Sequence, residues 1–85
     1  MAEEKEIGKV ISYFTHVEVA AIKLSGKLKI GDKIHIKGHT TDFEQVVESM
    51  QINREDVKEA KEGDDVGIRV KERVRPNDTV YLVEE

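Results

Sequence analysis

The sequence predicts an all-β domain, six antiparallel strands closed into a small barrel. Three observations carry the prediction. Apolar residues recur mainly at a spacing of two, β-branched side chains are frequent, and glycines interrupt the chain at short intervals. These are the marks of short, half-buried strands joined by tight turns. Closure follows because six short strands in an open sheet would leave two unpaired edges.

The first strand is expected over residues 7–14 and the second over 17–24, where Ala20, Ile22 and Leu24 share one face. Thr15-His16 between them is short enough for a hairpin turn. Ser25-Gly26 opens a connection that ends at Ile30-Gly31-Asp32, and Gly26 and Gly31 suit a positive φ. The cleanest alternation lies at 33–37: Ile34 and Ile36 point one way, Lys33, His35 and Lys37 the other. A polar turn over 38–42 leads into a long strand at 43–52. Val47 and Met50 stand three apart there, so a β-bulge is needed to bring both into the core. Asn53 reads as the cap of a short helical turn at 54–61, with Val57 and Ala60 facing inward. Gly63-Asp64-Asp65 ends that turn, and 66–70 alternates again as a strand. Arg75-Pro76-Asn77-Asp78 holds the only proline and is the strongest turn signal, after which 80–83 forms the last strand. No internal repeat is evident. Ile22, Ile34, Ile36, Val66 and Ile68 should be buried together, with Gly31 and Gly63 in tight turns.

At 85 residues the chain is one domain, 1–85, with 1–6 as a flexible acidic N-terminus. The charge balance, 14 basic against 18 acidic residues, gives −4 with the signs interleaved. That disfavours a duplex-DNA binder, which normally carries a basic excess. Without cysteine there is no disulfide framework, no zinc–cysteine site and no thiol nucleophile. No secretory signal fits the acidic start, and no apolar run reaches membrane-spanning length. A soluble, cytoplasmic protein without a membrane partner is expected.

Gly26-Lys27-Leu28-Lys29-Ile30-Gly31 has the glycine spacing of a phosphate-binding loop. Asp32-Lys33 then stands where Lys and Ser or Thr are required, and no helix follows, so a strand-to-strand turn is the reading taken. His35 and His39 are four apart, a metal spacing on a helix but not across a turning strand, and no metal site is assigned. Ser12, Ser25 and Ser49 lack a nucleophile setting, and Glu55-Asp56 and Asp64-Asp65 lie in turn-like segments. No catalytic residue and no cofactor are assigned. The remaining chemistry lies on the surface. Lys33, His35 and Lys37 make one outward cationic face, and Arg69, Lys71 and Arg73 another, with Tyr81 as an aromatic able to stack on a base.

Gly8-Lys9-Val10, Val19-Ala20-Ala21-Ile22 and Gly26-Lys27-Leu28-Lys29-Ile30-Gly31-Asp32-Lys33-Ile34 resemble the second domain of translational GTPases. Elongation factor Tu and bacterial initiation factor two carry such barrels. Val47-Glu48-Ser49-Met50-Gln51 and Gly63-Asp64-Asp65-Val66-Gly67-Ile68 keep the order, so the resemblance runs from about Ile7 to Val83. It implies a barrel of the translation-factor type. In that family the barrel helps hold the acylated end of transfer RNA and docks on the GTPase domain. GTP binding does not carry over, because no GTP-binding domain or switch region is present. A similar barrel occurs as an accessory at the C-terminus of collagenase-like peptidases. The expectation is therefore a free-standing, non-enzymatic module binding transfer or ribosomal RNA through Lys33, His35, Lys37, Arg69, Lys71, Arg73 and Tyr81. The alternative is a protein-interaction barrel that docks on a larger enzyme or GTPase.

Overall fold

A computed structural model of the chain describes residues 3–84. These are all-β, and no helix occurs among them. Ten strands are present: β1 (Glu3–Phe14), β2 (Val19–Leu24), β3 (Leu28–Lys29), β4 (Lys33–Lys37), β5 (Asp42–Val46), β6 (Met50–Ile52), β7 (Glu55–Asp56), β8 (Glu59–Ala60), β9 (Asp65–Arg69) and β10 (Thr79–Glu84). Eight form one sheet in the order β5-β4-β10-β1-β2-β9-β6-β7, and β3 pairs with β8 apart from it. Every pair with a described register is antiparallel.

The expected closed six-stranded barrel is thus not what the ladders form, since the sheet has ends at β5 and β7. The segment 43–52, expected as one bulged strand, is two. β5 pairs with β4, whereas β6 pairs with β9 and β7. The chain crosses between those places at 47–49, where Val47 exchanges backbone hydrogen bonds with the Gly31–Asp32 turn at 2.8 and 2.9 Å. Val47 and Met50 are both buried, so the core demand was real even though a strand break rather than a bulge meets it. Near this crossing the Gln45 side chain reaches from β5 to the residues that end β9. Its amide donates to the Arg69 carbonyl and its carbonyl accepts from the Lys71 N–H, each at 2.9 Å.

The helical turn expected at 54–61 is absent. Asn53 and Arg54 have φ of 52° and 67°, both left-handed, and they form the two-residue loop between Ile52 and its partner Glu55. Two positive φ values in succession fit a type I′ hairpin and exclude a helix cap, whose backbone is extended. Asn53 signals either structure by composition. The pairing of Val57 N–H with the Met50 carbonyl selects the hairpin.

Bulges do occur, but in β1. The ladder slips between Glu6 and Gly8 against β10, and between Val10 and Ser12 against β2. The first slip puts Ile7 and Val10, three apart, into the same core. β1 also begins at Glu3 rather than at residue 7, so Glu3–Glu6 are paired with β10. Met1, Ala2 and Glu85 lie outside the described residues.

A repeat that the sequence reading missed organises the turns. Lys29-Ile30-Gly31-Asp32, Lys61-Glu62-Gly63-Asp64 and Arg75-Pro76-Asn77-Asp78 share one geometry. In each, the Asp N–H donates to the carbonyl of the first residue at 3.1 Å. The Asp carboxylate in turn accepts from that residue's N–H at 2.8–3.0 Å. The third position has φ of 96°, 92° and 76° respectively, whereas Gly26, expected to share that sign, does not take a positive φ. A type II turn requires that sign, and Gly or Asn supplies it most cheaply. Each turn feeds a strand with alternate residues in the core: Ile34 and Ile36, Val66 and Ile68, then Val80. The five residues expected to be buried together, Ile22, Ile34, Ile36, Val66 and Ile68, are at most 2% exposed in one continuous core.

Candidate functional site

The densest polar cluster lies on the outer face where β5, β4, β10 and β1 run side by side. Alternation along β4 sends Lys33, His35 and Lys37 outward because Ile34 and Ile36 face the core. Register then sets their neighbours. His35 stands opposite Glu44 on β5 and Tyr81 on β10, and Tyr81 in turn stands opposite Glu6 on β1. His35 Nδ1 lies 2.5 Å from Glu4 Oε2 and 3.5 Å from Glu44 Oε2, and its Nε2 is hydrogen-bonded to Asp42 Oδ1. Lys33 Nζ is 3.3 Å from Glu44 Oε1, and Lys37 Nζ is 3.2 Å from Glu4 Oε1. The Lys37 ammonium also sits 5.5 Å from the centre of the Tyr81 ring, a cation–π contact.

The ionisation of these groups is coupled. Burial pulls the His35 pKa down, but hydrogen bonds to Asp42 and Glu4 and their negative charge outweigh it, and the net direction is up. The hydrogen bond from His35 holds both Glu4 and Asp42 below the usual carboxylate range, with Lys37 adding to the effect on each. Lys37 is raised by its bond to Glu4. Neither ring nitrogen of His35 is left to take a proton from a substrate.

Of the seven residues singled out from sequence, Lys33, His35, Lys37 and Tyr81 therefore share one surface. Arg69 ends β9, and Lys71 and Arg73 follow in the connection to β10; all three are exposed. Along the sheet, β10, β1 and β2 separate β4 from β9. No ion pair forms at Arg69, Lys71 or Arg73 among the described residues; the backbone of this stretch is held by Gln45 at 69 and 71 and by the Glu18 carbonyl, which accepts from the Val70 N–H at 2.9 Å. Glu4, Asp42 and Glu44, which surround His35, were not singled out. Glu4 is 31 positions away in sequence, and only the β1–β10–β4 register brings it near.

The architecture defines a small, charged all-β domain with a threefold repeated aspartate turn. Comparison with known proteins then gives it relatives. The chain is 51% identical over 81 residues to a protein of Methanocaldococcus jannaschii named as a protease, and 43% identical over 77 residues to a Porphyromonas gingivalis protein named collagenase. Those matches cover 94% and 88% of this chain, which spans about a fifth of each relative's length (20% and 21%). The fold matches the C-terminal domain of a protein named as a U32 peptidase from Geobacillus thermoleovorans. The TM-score is 0.86 at 21% identity, covering 93% of this chain and 91% of that one. No protein-family profile matches the chain.

These relatives overturn the resemblance to the second domain of translational GTPases, and with it the free-standing RNA-binding or docking module. The expectation of a chain outside enzyme function falls for the same reason, since the sequence relatives are named as protease and collagenase. The physical cause of the misreading is visible. The two Gly-Asp turns that carried the resemblance are two copies of a turn that a left-handed third residue and a capping aspartate dictate. Such a motif specifies strand-to-strand geometry and is silent about ligand. Among the described residues no helix is long and apolar enough to cross a membrane.

Proposed function

We propose that the chain serves as the small β-domain of a peptidase-type protein and contributes to peptide hydrolysis by that assembly. The observation that carries this reading is the 51% identity over 94% of the chain to the M. jannaschii protease. The collagenase likeness and the fold match to a peptidase C-terminal domain support it independently. We further read the coiled sheet as a barrel in its working form. The Gln45 bridge to 69–71 favours that reading, because it ties β5 at one end of the sheet to the residues that end β9.

The test is a chimera. The 77 matched residues of the P. gingivalis collagenase are replaced by this chain, and hydrolysis of labelled collagen is compared with the intact protein and with a version lacking the segment. The chimera should cleave at a rate near the intact protein while the truncated version falls well below it. A folded, monodisperse chimera no better than the truncation would refute the proposal.

A further inference from the structure

The His35 cluster carries a consequence for pH. Both ring nitrogens face carboxylate oxygens, Nδ1 towards Glu4 and Nε2 towards Asp42. An ionised carboxylate only accepts, and a neutral imidazole has a single N–H. With one proton on the ring, one of the two contacts becomes lone pair against lone pair. The geometry therefore calls for a ring protonated at both nitrogens. Charge agrees in sign, since the ring lies among the carboxylates of Glu4, Asp42 and Glu44.

A metal ion meets the geometry less well. Ligand-type atoms of Glu4, His35 and Glu44 lie within 4.8 Å of one another. Yet the 2.5 Å from Nδ1 to Glu4 is a direct hydrogen-bond length, and an ion about 2.0–2.2 Å from each ligand would hold them further apart. The second oxygen of each glutamate also faces a lysine ammonium.

What the proton holds is a weakly anchored piece of strand. Glu3–Glu6 pair with β10 on one side only, because the β1–β2 register begins at Gly8. All four residues are exposed, and the bulge at Glu6–Gly8 separates them from the doubly paired remainder of β1. On the opposite side from Glu4, Lys5 borders the opening at Ile7 and Leu82, so displacement of this segment uncovers that end of the core.

We propose that His35 is a proton-operated latch: its imidazolium ties Glu3–Glu6 through Glu4 to β5 through Asp42, and loss of the second ring proton frees that segment. The groups facing His35 are Lys33 and Lys37 on its own strand, Asp42 and Glu44 on β5, Tyr81 on β10, and Glu4 and Glu6 on β1.

The experiment follows the intact chain by NMR from pH 5 to 9, reading the His35 ring shifts and amide exchange corrected for its intrinsic pH dependence. The His35 midpoint should lie above the ordinary value of about 6.5. Protection of those amides of Glu3–Glu6 that bond to β10 should fall as pH rises to that midpoint, by about tenfold for each unit by which it is raised, while Ile22 stays protected. Glu4→Gln and Asp42→Asn should each lower the midpoint, and His35→Gln should abolish the pH step. A wild-type midpoint at or below about 6.5 would overturn the latch. So would an exchange profile of the β10-bonded amides of Glu3–Glu6 identical in wild type and H35Q. Tight binding of one equivalent of zinc, with loss of the His35 titration, would replace the proton by a metal and equally end the proposal.

Discussion

Two stretches of this chain read alike in sequence, Lys33-Ile34-His35-Ile36-Lys37 and Arg69-Val70-Lys71-Glu72-Arg73, and the fold treats them differently. The first lies on β4, inside the sheet, where Glu44 of β5 meets Lys33, and Glu4 of β1 and Tyr81 of β10 meet Lys37. The second leaves β9 at Arg69 and runs on with its charges in solvent, its backbone held by Gln45 and by the Glu18 carbonyl. The inner faces of the two are equivalent, since Ile34, Ile36, Ile68 and Val70 are all buried in the same core. The difference arises because β4 has a strand on each side along its whole length, whereas the second stretch is strand only at Arg69 and so has no strand beside it to supply acids. An alternating charge pattern tells which face a residue takes; the register of other strands decides whether the charge is paired or free.

The largest effects should come where the two stretches agree. Ile36→Ala and Ile68→Ala remove fully buried side chains, and each should lower unfolding free energy by about 2–5 kcal/mol in urea titrations. Similar losses at both would confirm one shared core, whereas a cost confined to one would separate them.

Next come two substitutions that test how each stretch is held. A Cβ on Gly38, just after β4, would lie 1.8 Å from Asp78 Oδ1, and Asp78 is buried with its carboxylate capping Arg75. Gly38→Ala should cost about 1–3 kcal/mol through that overpacking. Gln45→Ala removes both side-chain bonds to 69–71, at about 0.5–1.5 kcal/mol for each bond, and should raise amide exchange at Lys71 without disturbing β4.

The pH dependence tests the first stretch. The folded His35 pKa is raised above its unfolded value of about 6.5, so its contribution is complete below about 6.5 and disappears as pH rises through the folded midpoint. Glu4 and Asp42 are lowered, so theirs is present above the unfolded carboxylate values and lost as pH falls through the folded ones. Stability referenced to His35→Gln should therefore peak between the two ranges.

Much of this was legible from local pattern. Strand β4, the turns at Gly31, Gly63 and Asn77, and the buried set at Ile22, Ile34, Ile36, Val66 and Ile68 all follow from alternation and turn chemistry. What was not legible depends on distant contacts. Asn53 carries equal local evidence for a cap and a hairpin, and Met50 decides it from seven positions before Val57. Residues 43–52 alternate like one strand, yet the chain must leave β4 to reach β9. The His35 cluster joins acids from β1 and β5 that no spacing within β4 predicts. The cations themselves were visible; their partners were not.

A charge reversal in each stretch tests the comparison most directly. Lys37→Glu places a carboxylate against Glu4 and over the Tyr81 ring, whereas Arg69→Glu alters an exposed side chain with no ionic partner among the described residues. Urea unfolding of both at pH 6, in low and high salt, compares them on one scale. The account predicts that Lys37→Glu is clearly destabilised and recovers partly as salt screens the repulsion, while Arg69→Glu stays within about 0.5 kcal/mol of wild type. Equal effects for the two variants, or an Arg69→Glu loss larger than that of Lys37→Glu, would contradict it.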